Sequence, residues 1–290
     1  MIISRLNDDL YLSTVNLAGT HDSATAYVAM EKMCRCQVLT VREQLSAGIR
    51  LFDIRLYKKG GEFYLCHAIA DCFEDEEKTK KLSFDTLIEM FYTFLRENPR
   101  EALVLSIKQD RGIQNKGFFT AFYEKYIVGN ECKWYLENRN PHLSECRGKI
   151  VLMRRCKRRK SFLKRESCGL DFSFWKDQDS KKKFNPLPLR RTVGYTAVIQ
   201  DRYGLSYENK WENCAKPFLD SCRTSETEFA VHFISTAYRD KGADLKKGAD
   251  IINESFLKYH LKKGAGWIFV DFVNKEIIDK IMNSNTEEDL

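Results

Sequence analysis

The sequence predicts an α/β fold, a single (β/α) barrel of the TIM type that is irregular or incompletely closed. Three features of the 290 residues point to it: about eight short apolar runs recur, helical or long connecting segments separate most of them, and polar side chains follow where the runs end. Strands that alternate with helices form parallel sheets, and barrels reach such a length as one domain. We therefore expect one domain over residues 1–290, with its functional site at the carboxyl ends of the strands.

The apolar runs give the expected strands. The first apolar run ends in the stretch Leu17–Ser23, where Gly19 is expected to let the backbone turn sharply. The second alternates, so that Asp53 and Arg55 point to the same side. The run 102–108 is continuously apolar, which suits a strand buried on both faces. The full set of expected strands is 17–23, 49–57, 63–67, 102–108, 149–155, 195–201, 229–235 and 266–271.

Helices are expected between most of these strands. Ser83 is a suitable N-cap, and apolar residues follow it at helical spacing until Asn98 and Pro99 end the helix. A helix over 207–222 should be kinked at Pro217, because proline lacks the amide hydrogen that a helix interior uses. The other expected segments are a short helix or loop at 30–36, helices at 117–126, 245–261 and 275–282, and a loop insertion at 157–191.

The polar residues that end the strands form the candidate site. Parallel strands of a barrel bring their carboxyl ends to one mouth, so these side chains should converge there. His21 adds a group whose ordinary pKa, about 6.5, allows proton transfer near neutral pH. Beside it, the expected set is Asp22, Asp53, Arg55, His67, Lys108, Arg155, Asp201 and Asp271.

The charge distribution is uneven. The chain carries 48 basic and 41 acidic residues, a net charge of +7, and residues 147–191 alone hold sixteen Lys/Arg against four Asp/Glu. Such a basic segment attracts phosphates on lipid or nucleic acid, although a solvated loop explains most of its residues. No apolar run reaches the roughly 20 residues that span a bilayer. The first residues do not form a signal peptide, so we expect a chain that stays inside the cell or has lost a leader.

The ten cysteines are scattered between Cys34 and Cys222 without the spacing of a metal site. We expect them to be mostly reduced thiols.

Seven motifs, taken in order, resemble the phosphatidylinositol-specific phospholipase C X-domain family, and they are most similar to its bacterial, calcium-independent branch. Each motif alone is weakly specific, but together they extend over nearly the whole chain. The motifs lie at 16–23, 44–55, 65–67, 105–108, 148–155, 198–203 and 266–271.

The resemblance implies a phosphatidylinositol diacylglycerol-lyase, in which the inositol 2-hydroxyl attacks its own phosphodiester and releases diacylglycerol and a cyclic inositol phosphate. It implies His21 as a general base that begins neutral, oriented by Asp271, and His67 as a protonated general acid supported by Asp22. Arg55 would hold the phosphate beside Asp53. The positions that would bind the inositol ring are Lys108, Arg155, Asp201 and Tyr203.

The chemistry agrees with these residue types. The attacking hydroxyl needs a base and the leaving oxygen needs an acid, and each proton transfer contributes about 10²–10⁴ in rate. A guanidinium matches two phosphate oxygens in a fixed fork. Asp22 stands where calcium-dependent relatives have asparagine, and Arg55 would replace the ion. We therefore expect no metal and no cofactor.

The sequence departs from the family at two places. Ala68 follows His67 where the family usually has glycine, so the local turn should differ. Secreted relatives insert rim tryptophans into lipid, but the corresponding stretches 28–36 and 238–247 contain none. Lys241, Lys246, Lys247 and the basic segment would then attract the membrane by charge.

Two other functions stay open. One is a metal-dependent glycerophosphodiesterase, which would need clustered acidic ligands where this chain has Arg55 and Lys108. The other is a catalytically weak phosphoinositide-binding module. The expected partners are phosphatidylinositol or a glycosylated inositol lipid and, peripherally, a membrane surface; we expect a monomer that binds no nucleic acid.

Overall fold

The computed structural model describes residues 3–112, 116–159, 161, 163–179, 187–189, 194–237 and 245–286. The strands are β1 (Leu17–Thr20), β2 (Leu51–Lys59), β3 (Glu62–His67), β4 (Ala70–Asp71), β5 (Leu103–Gln109), β6 (Trp134–Tyr135), β7 (Ile150–Arg154), β8 (Leu170–Asp171), β9 (Leu187–Leu189), β10 (Thr196–Gln200), β11 (Glu228–Phe233) and β12 (Trp267–Val270). The helices are α1 (Glu31–Cys34), α2 (Val41–Ala47), α3 (Phe84–Glu97), α4 (Lys116–Tyr126), α5 (Leu143–Cys146), α6 (Tyr207–Lys210), α7 (Lys216–Ser221), α8 (Leu245–Lys258) and α9 (Lys275–Asn283). No helix among these residues is both long and apolar enough to cross a membrane.

The strands form a curled, mostly parallel sheet in the order β6-β7-β5-β2-β1-β12-β11-β10-β9. β1 lies between β2 and β12, so the first and last strands of the chain meet in the middle of the sheet. Within the described residues, the outer strands β6 and β9 do not pair with each other. The sheet is therefore an incompletely closed barrel, and the predicted fold class is confirmed.

All eight expected strands are present, but one of them lies off the barrel. β3 runs antiparallel to β2, with Leu56 opposite Leu65 and Lys59 opposite Glu62. The tight turn at Gly60 and Gly61, both with positive φ, can only join antiparallel neighbours. The expectation that 63–67 is a barrel strand is therefore wrong; it is the returning arm of a hairpin.

The segment 157–191, expected to be a loop, contains two short strands. β8 extends the sheet beside β7, and β9 pairs antiparallel with β10, which places Pro188 opposite Val198. β9 ends the sheet among the described residues, and an edge position tolerates a proline without an amide hydrogen.

Two local expectations also need correction. Gly19 does not form a turn but lies inside β1. Glycine is required there because the Leu51 side chain packs against the backbone, and a Cβ atom would lie only 2.6 Å from it. The expected helix 207–222 is divided into α6, a π-helical turn at Trp211–Ala215 and α7. The wide turn lies immediately before Pro217, where a regular helix would bring the proline ring against a carbonyl.

Candidate active site

The candidate site lies at the carboxyl ends of the central strands, and strand register explains its first contact. Thr20 pairs with Val270 in the parallel β1–β12 ladder, so the next residues, His21 and Asp271, leave the sheet side by side. The Nδ1 atom of His21 lies 2.8 Å from Oδ1 of Asp271. A carboxylate on this nitrogen fixes which ring nitrogen carries the proton and orients the imidazole.

Buried polar side chains hold these strand ends in place. Gln37 donates from its amide to the carbonyls of His21 and Val270, and so links the ends of β1 and β12. Ser23 receives the amide hydrogen of Asp53 at 2.8 Å and links β1 to β2. These hydrogen bonds therefore hold the strand ends, and the site residues on them, in fixed relative positions.

Asp22 lies at the centre of the charged groups. Its Oδ2 is 3.0 Å from Nε2 of His21 and 3.5 Å from Nε2 of His67, and its Oδ1 is 3.0 Å from Nε of Arg55. Its side chain is 1 % exposed, so these contacts replace water almost completely. The sequence predicted that Asp22 supports His67; the structure adds His21 as a nearer partner.

Arg55 is held by three carboxylates. Its Nη2 lies 2.9 Å from Asp53 and its Nη1 lies 3.6 Å from Asp110, in addition to the Asp22 contact. Asp53 in turn lies 3.2 Å from Arg155. The guanidinium is thus fixed by ion pairs, and the Nη1 contact with Asp110 is longer than an ordinary hydrogen bond.

His67 reaches the site through the hairpin. Leu56 on β2 lies opposite Leu65 on the antiparallel strand β3. His67, two residues later on β3, therefore lies near the part of β2 that carries Arg55. Its Nδ1 lies 2.8 Å from the carbonyl of Cys34, so Nδ1 carries a hydrogen and Nε2 faces Asp22. The His21 and His67 ring centroids lie 6.2 Å apart. Two imidazoles therefore approach one space from different elements.

The backbone turns sharply beside each of these groups. Asp22, Ala68 and Phe272 directly follow His21, His67 and Asp271, and all three have positive φ, between 43° and 50°. Side chains other than glycine, asparagine and aspartate rarely adopt this conformation. At Ala68 the amide hydrogen is donated to Asp110 Oδ2 at 2.7 Å, which holds the strained turn. The turn expected to differ at Ala68 therefore keeps a glycine-like conformation.

The charged neighbours of His21 bear on the prediction that this base begins neutral. Burial by itself lowers the pKa of His21, but Asp271 and Asp22 outweigh it and hold that pKa well above 6.5. The two carboxylates therefore favour the protonated form of His21 in the ligand-free protein. His21 becomes a base only after losing that proton.

The carboxylates stay ionised because their cations outweigh their burial. Burial raises the pKa of Asp22, but Arg55 and the two histidines hold it below its ordinary value. Burial also raises the pKa of Asp110, but the Arg55 guanidinium outweighs it and lowers that pKa to about 2. In contrast, burial keeps the pKa of Asp201 raised despite Arg155.

A cavity of about 220 Å³ opens among these groups. It is lined by all four residues expected to bind a ring, Lys108, Arg155, Asp201 and Tyr203, together with His21, Arg55, His67 and Asp271. Asp22 and Asp53 lie beneath it, buried behind Arg55. The structure thus brings together the whole set of sequence-predicted site residues.

Three further residues belong to the site and were missed from the sequence. Asp110 pairs with Lys108 at 2.9 Å, and its place two residues after Lys108 was a usable signal. Cys36 lines the cavity and Gln37 clamps the strand ends. Neither Cys36 nor Gln37 lies at a strand end, so the rule used to find the others does not reach them.

One group of side chains could reach a common metal ion. The ligand atoms of His21, Asp22 and Cys36 lie within 4.8 Å of one another. Calcium prefers oxygen ligands, so a thiol and an imidazole suit it poorly. Burial, with the nearby carboxylate of Asp271, raises the pKa of the Cys36 thiol, which disfavours the thiolate that a metal needs. All ten cysteines are free in the structure.

The structure describes only some of the basic residues that were expected to attract a membrane. Lys160, Lys181, Lys182, Lys183 and Lys241 lie outside the described residues. Arg158 donates to the carbonyl of Leu163, and Lys246 pairs with Asp250 on α8.

The chain resembles known proteins over its full length. The family model of the phosphatidylinositol-specific phospholipase C X domain matches residues 10–156. The 1-phosphatidylinositol phosphodiesterase of Staphylococcus aureus (strain Newman) is 24% identical over 98% of this chain and 93% of its own length. The protein of the same name from Listeria monocytogenes is 22% identical over 98% of this chain and 84% of its own.

Solved structures agree with the fold. A phosphatidylinositol-specific phospholipase C from Staphylococcus aureus superposes with a TM-score of 0.81 at 23% identity, and covers 98% of this chain and 97% of its own. The Listeria monocytogenes enzyme gives a TM-score of 0.75 at 21% identity, with 98% of each chain covered.

Proposed function

Because the chain belongs to the phosphatidylinositol-specific phospholipase C X-domain family, we propose that it cleaves phosphatidylinositol, releasing diacylglycerol and a cyclic inositol phosphate. Relatives named 1-phosphatidylinositol phosphodiesterase match 98% of the chain and support this substrate. One observation carries the proposal: two histidines from different elements face a single buried carboxylate, Asp22, beside a fixed guanidinium.

His21 is the general base for the inositol 2-hydroxyl. Its Nδ1 is held by Asp271, so Nε2 is the nitrogen that accepts the proton. Because Asp271 and Asp22 raise the pKa of His21, the neutral base forms at higher pH than it would without them, and the reaction should depend on pH. After the transfer, the imidazolium is stabilised by the same two carboxylates.

His67 is the general acid for the glycerol oxygen. Because its Nδ1 donates to the Cys34 carbonyl, only Nε2 can deliver a proton into the cavity. Asp22 lies 3.5 Å from that Nε2, so the two groups face each other across the cavity floor. A diacylglycerol alkoxide is a poor leaving group, so protonation should matter most for the natural lipid.

Arg55 neutralises the charge that develops on the phosphate. It lines the cavity, and three carboxylates hold it in place before substrate binds, so no reorganisation is needed during the reaction. A calcium ion near this largely buried guanidinium would be repelled. We therefore expect catalysis without calcium.

Lys108, Arg155, Asp201 and Tyr203 bind the inositol ring. Lys108 and Arg155 each keep a carboxylate partner, Asp110 and Asp53, so they present oriented donors. The Asp201 carboxyl, whose pKa is raised by burial, can accept hydrogen bonds from ring hydroxyls. These residues line the same cavity as Arg55 and the two histidines, so a ring attached to the phosphate could contact them.

Membrane contact involves the rim near α1. Met30, Met33 and Val38 are 47%, 45% and 50% exposed, beside the cations Lys32 and Arg35. Apolar side chains next to cations favour an anionic lipid surface. This rim takes the place of the absent tryptophans, and docking through the basic segment 157–183 stays a prediction.

The first test of this function is product analysis. Wild-type protein should convert phosphatidylinositol vesicles into a cyclic phosphodiester with its own ³¹P resonance, and His21→Ala should form almost none. Cleavage that requires added metal would favour a glycerophosphodiesterase instead. Binding without turnover would favour the phosphoinositide-binding module.

A further inference from the structure

Three side chains from two segments of the chain meet beside the catalytic cavity. The ligand atoms of His21, Asp22 and Cys36 lie within 4.8 Å of one another, and Nε2 of His21 lies 3.0 Å from Oδ2 of Asp22. His21 and Asp22 directly follow β1, whereas Cys36 belongs to the connection between α1 and α2. Among the residues that the structure describes, no other three or more His, Cys, Asp or Glu side chains come together in this way. The cluster is therefore a candidate metal site.

Hydrogen bonds hold the segment that carries the thiol against the strand ends. The Cys36 amide donates to Oγ1 of Thr25 at 3.0 Å, and the Cys36 carbonyl accepts from the amide of Phe272 at 2.6 Å. The next residue, Gln37, donates from its side chain to the carbonyl of His21 at 2.9 Å. The sulfur is thus placed beside the imidazole before any ligand binds, which reduces the entropy lost on binding.

The donor atoms of the cluster suit Zn²⁺. Asp271 holds Nδ1 of His21 at 2.8 Å, so Nε2 is the nitrogen available to a metal, and a carboxylate on the other ring nitrogen is the usual support of a metal-binding histidine. Asp22 pairs through Oδ1 with Arg55 and turns Oδ2 toward His21. Zinc accepts nitrogen, oxygen and sulfur in a tetrahedron whose ligand atoms lie about 3.3–3.7 Å apart. Because His21 and Cys36 line the cavity, a water molecule can complete the tetrahedron from that side.

The charge of Arg55 does not oppose zinc as it opposes calcium. Burial raises the pKa of the Cys36 thiol, so a metal must displace the thiol proton in order to bind. Zinc deprotonates a coordinated thiol, whereas calcium prefers oxygen ligands. A Zn²⁺ ion that displaces this proton and the Nε2 proton of a protonated His21 exchanges two positive charges for two, and both protons leave to water. The net charge beside Arg55 then stays the same.

We propose that His21, Asp22 and Cys36 form a zinc-binding site and that zinc bound there inhibits the enzyme. The inhibition rests on the proposed cleavage of phosphatidylinositol, because the metal occupies Nε2 of His21, the nitrogen that accepts the proton of the inositol 2-hydroxyl. The binding of zinc does not rest on that cleavage. Zinc is here a reversible inhibitor and not a cofactor, so chelation leaves the enzyme active.

Inhibition is measured in wild type, in Cys36→Ser and in the matched control Cys132→Ser. Cys132 is an exposed thiol, and it does not line the catalytic cavity. Phosphatidylinositol in a neutral detergent is cleaved at increasing concentrations of buffered free Zn²⁺, with a phosphine reductant that does not chelate the metal. Each rate is divided by the zinc-free rate of the same variant. If Cys36→Ser does not fold, Cys36→Ala removes the sulfur without adding a buried hydroxyl.

Binding is measured separately with Co²⁺, a spectroscopic substitute for zinc. A sulfur-to-cobalt charge-transfer band in the near ultraviolet appears only when a thiolate is a ligand of the metal. The band should appear in wild type and in Cys132→Ser, and it should be absent from Cys36→Ser. This readout does not depend on catalysis.

Wild type and Cys132→Ser should be inhibited by micromolar zinc and should recover on chelation. Cys36→Ser should need at least about tenfold more zinc, since loss of groups that merely support a metal ligand already costs about 10–100-fold in affinity. Cleavage that zinc does not inhibit, a zinc sensitivity that Cys36→Ser leaves unchanged, or wild-type protein without the cobalt band would overturn the proposal.

The two readouts separate this inference from the proposed function. If phosphatidylinositol is cleaved but the cobalt band is missing, the zinc site is wrong and the cleavage stands. If no inositol lipid is cleaved but the band depends on Cys36, the cleavage is wrong and the cluster stands as a metal-binding site.

Discussion

Removal of the Asp271 charge tests how the site sets the protonation of His21. Asp271→Asn keeps the size of the side chain and an oxygen that can accept from Nδ1, 2.8 Å away, but removes the negative charge. A hydrogen bond to a charged group contributes about 1.5–3 kcal/mol, and about 1.4 kcal/mol corresponds to one pH unit. The acidic limb of kcat/KM should therefore move toward lower pH by about one to two units.

The sign follows from the state of the free enzyme. The pKa of His21 is raised by Asp271 and Asp22, so the neutral base forms only as the pH rises above 6.5, and kcat/KM rises with it. Without the Asp271 charge the proton leaves at lower pH. The maximal rate should nevertheless fall by about 10²–10⁴, because the imidazolium formed in the transition state loses its carboxylate.

The assay is release of soluble inositol phosphate from phosphatidylinositol dispersed in a neutral detergent, between pH 5 and 9. Asp279→Asn is the matched control, since Asp279 is a half-exposed carboxylate on α9 that pairs with Lys275. A wild-type limb at or below pH 6.5, or a limb that Asp271→Asn leaves in place, would refute the assignment of His21 and Asp271 as base and partner.

Three further predictions follow from particular contacts. Arg55→Lys should lower kcat by about 10²–10³, because an ammonium keeps the charge but loses the fork, and wild-type activity should persist after exhaustive chelation; activity restored only by millimolar calcium would contradict this. Ala68→Gly should raise the free energy of unfolding by about 0.5–1 kcal/mol in urea titrations, because φ is 50° there, whereas Ala121→Gly within α4 should lower it by a similar amount. Met30→Ser/Met33→Ser should weaken sedimentation with anionic vesicles several-fold, and unchanged binding would exclude the rim near α1 as the contact.

Much of the fold follows from patterns that are local in the sequence. The strand cores are apolar runs, either continuous or alternating, and β5 over Leu103–Gln109 lies within one residue of its expected bounds. The prediction of a barrel strand at 63–67 was wrong because apolar alternation does not show whether a strand runs parallel or antiparallel to its neighbour. The Gly60–Gly61 turn did carry that information, since so short a turn requires an antiparallel neighbour.

The site was predictable where strand ends supply it, and less so where loops do. His21 directly follows β1, and Asp53 and Arg55 lie on one face of the neighbouring β2, so the barrel alone brings them together. Cys36 and Gln37 reach the site through a connection whose path no periodicity describes. The imidazolium state of His21 depends on Asp22 and Asp271 at 3.0 and 2.8 Å, distances that the sequence does not contain.

The most direct test of the two-histidine mechanism compares leaving groups in His67→Ala. The variant should lose about 10²–10⁴ in cleavage of phosphatidylinositol, whose glycerol oxygen needs a proton, and much less with an inositol phosphodiester of nitrophenol, whose leaving group needs none. His21→Ala should lose activity on both substrates, because each requires the 2-hydroxyl to be activated. Near-full cleavage of the natural lipid by His67→Ala, or an equal loss on both substrates, would contradict the assignment of His67 as the general acid.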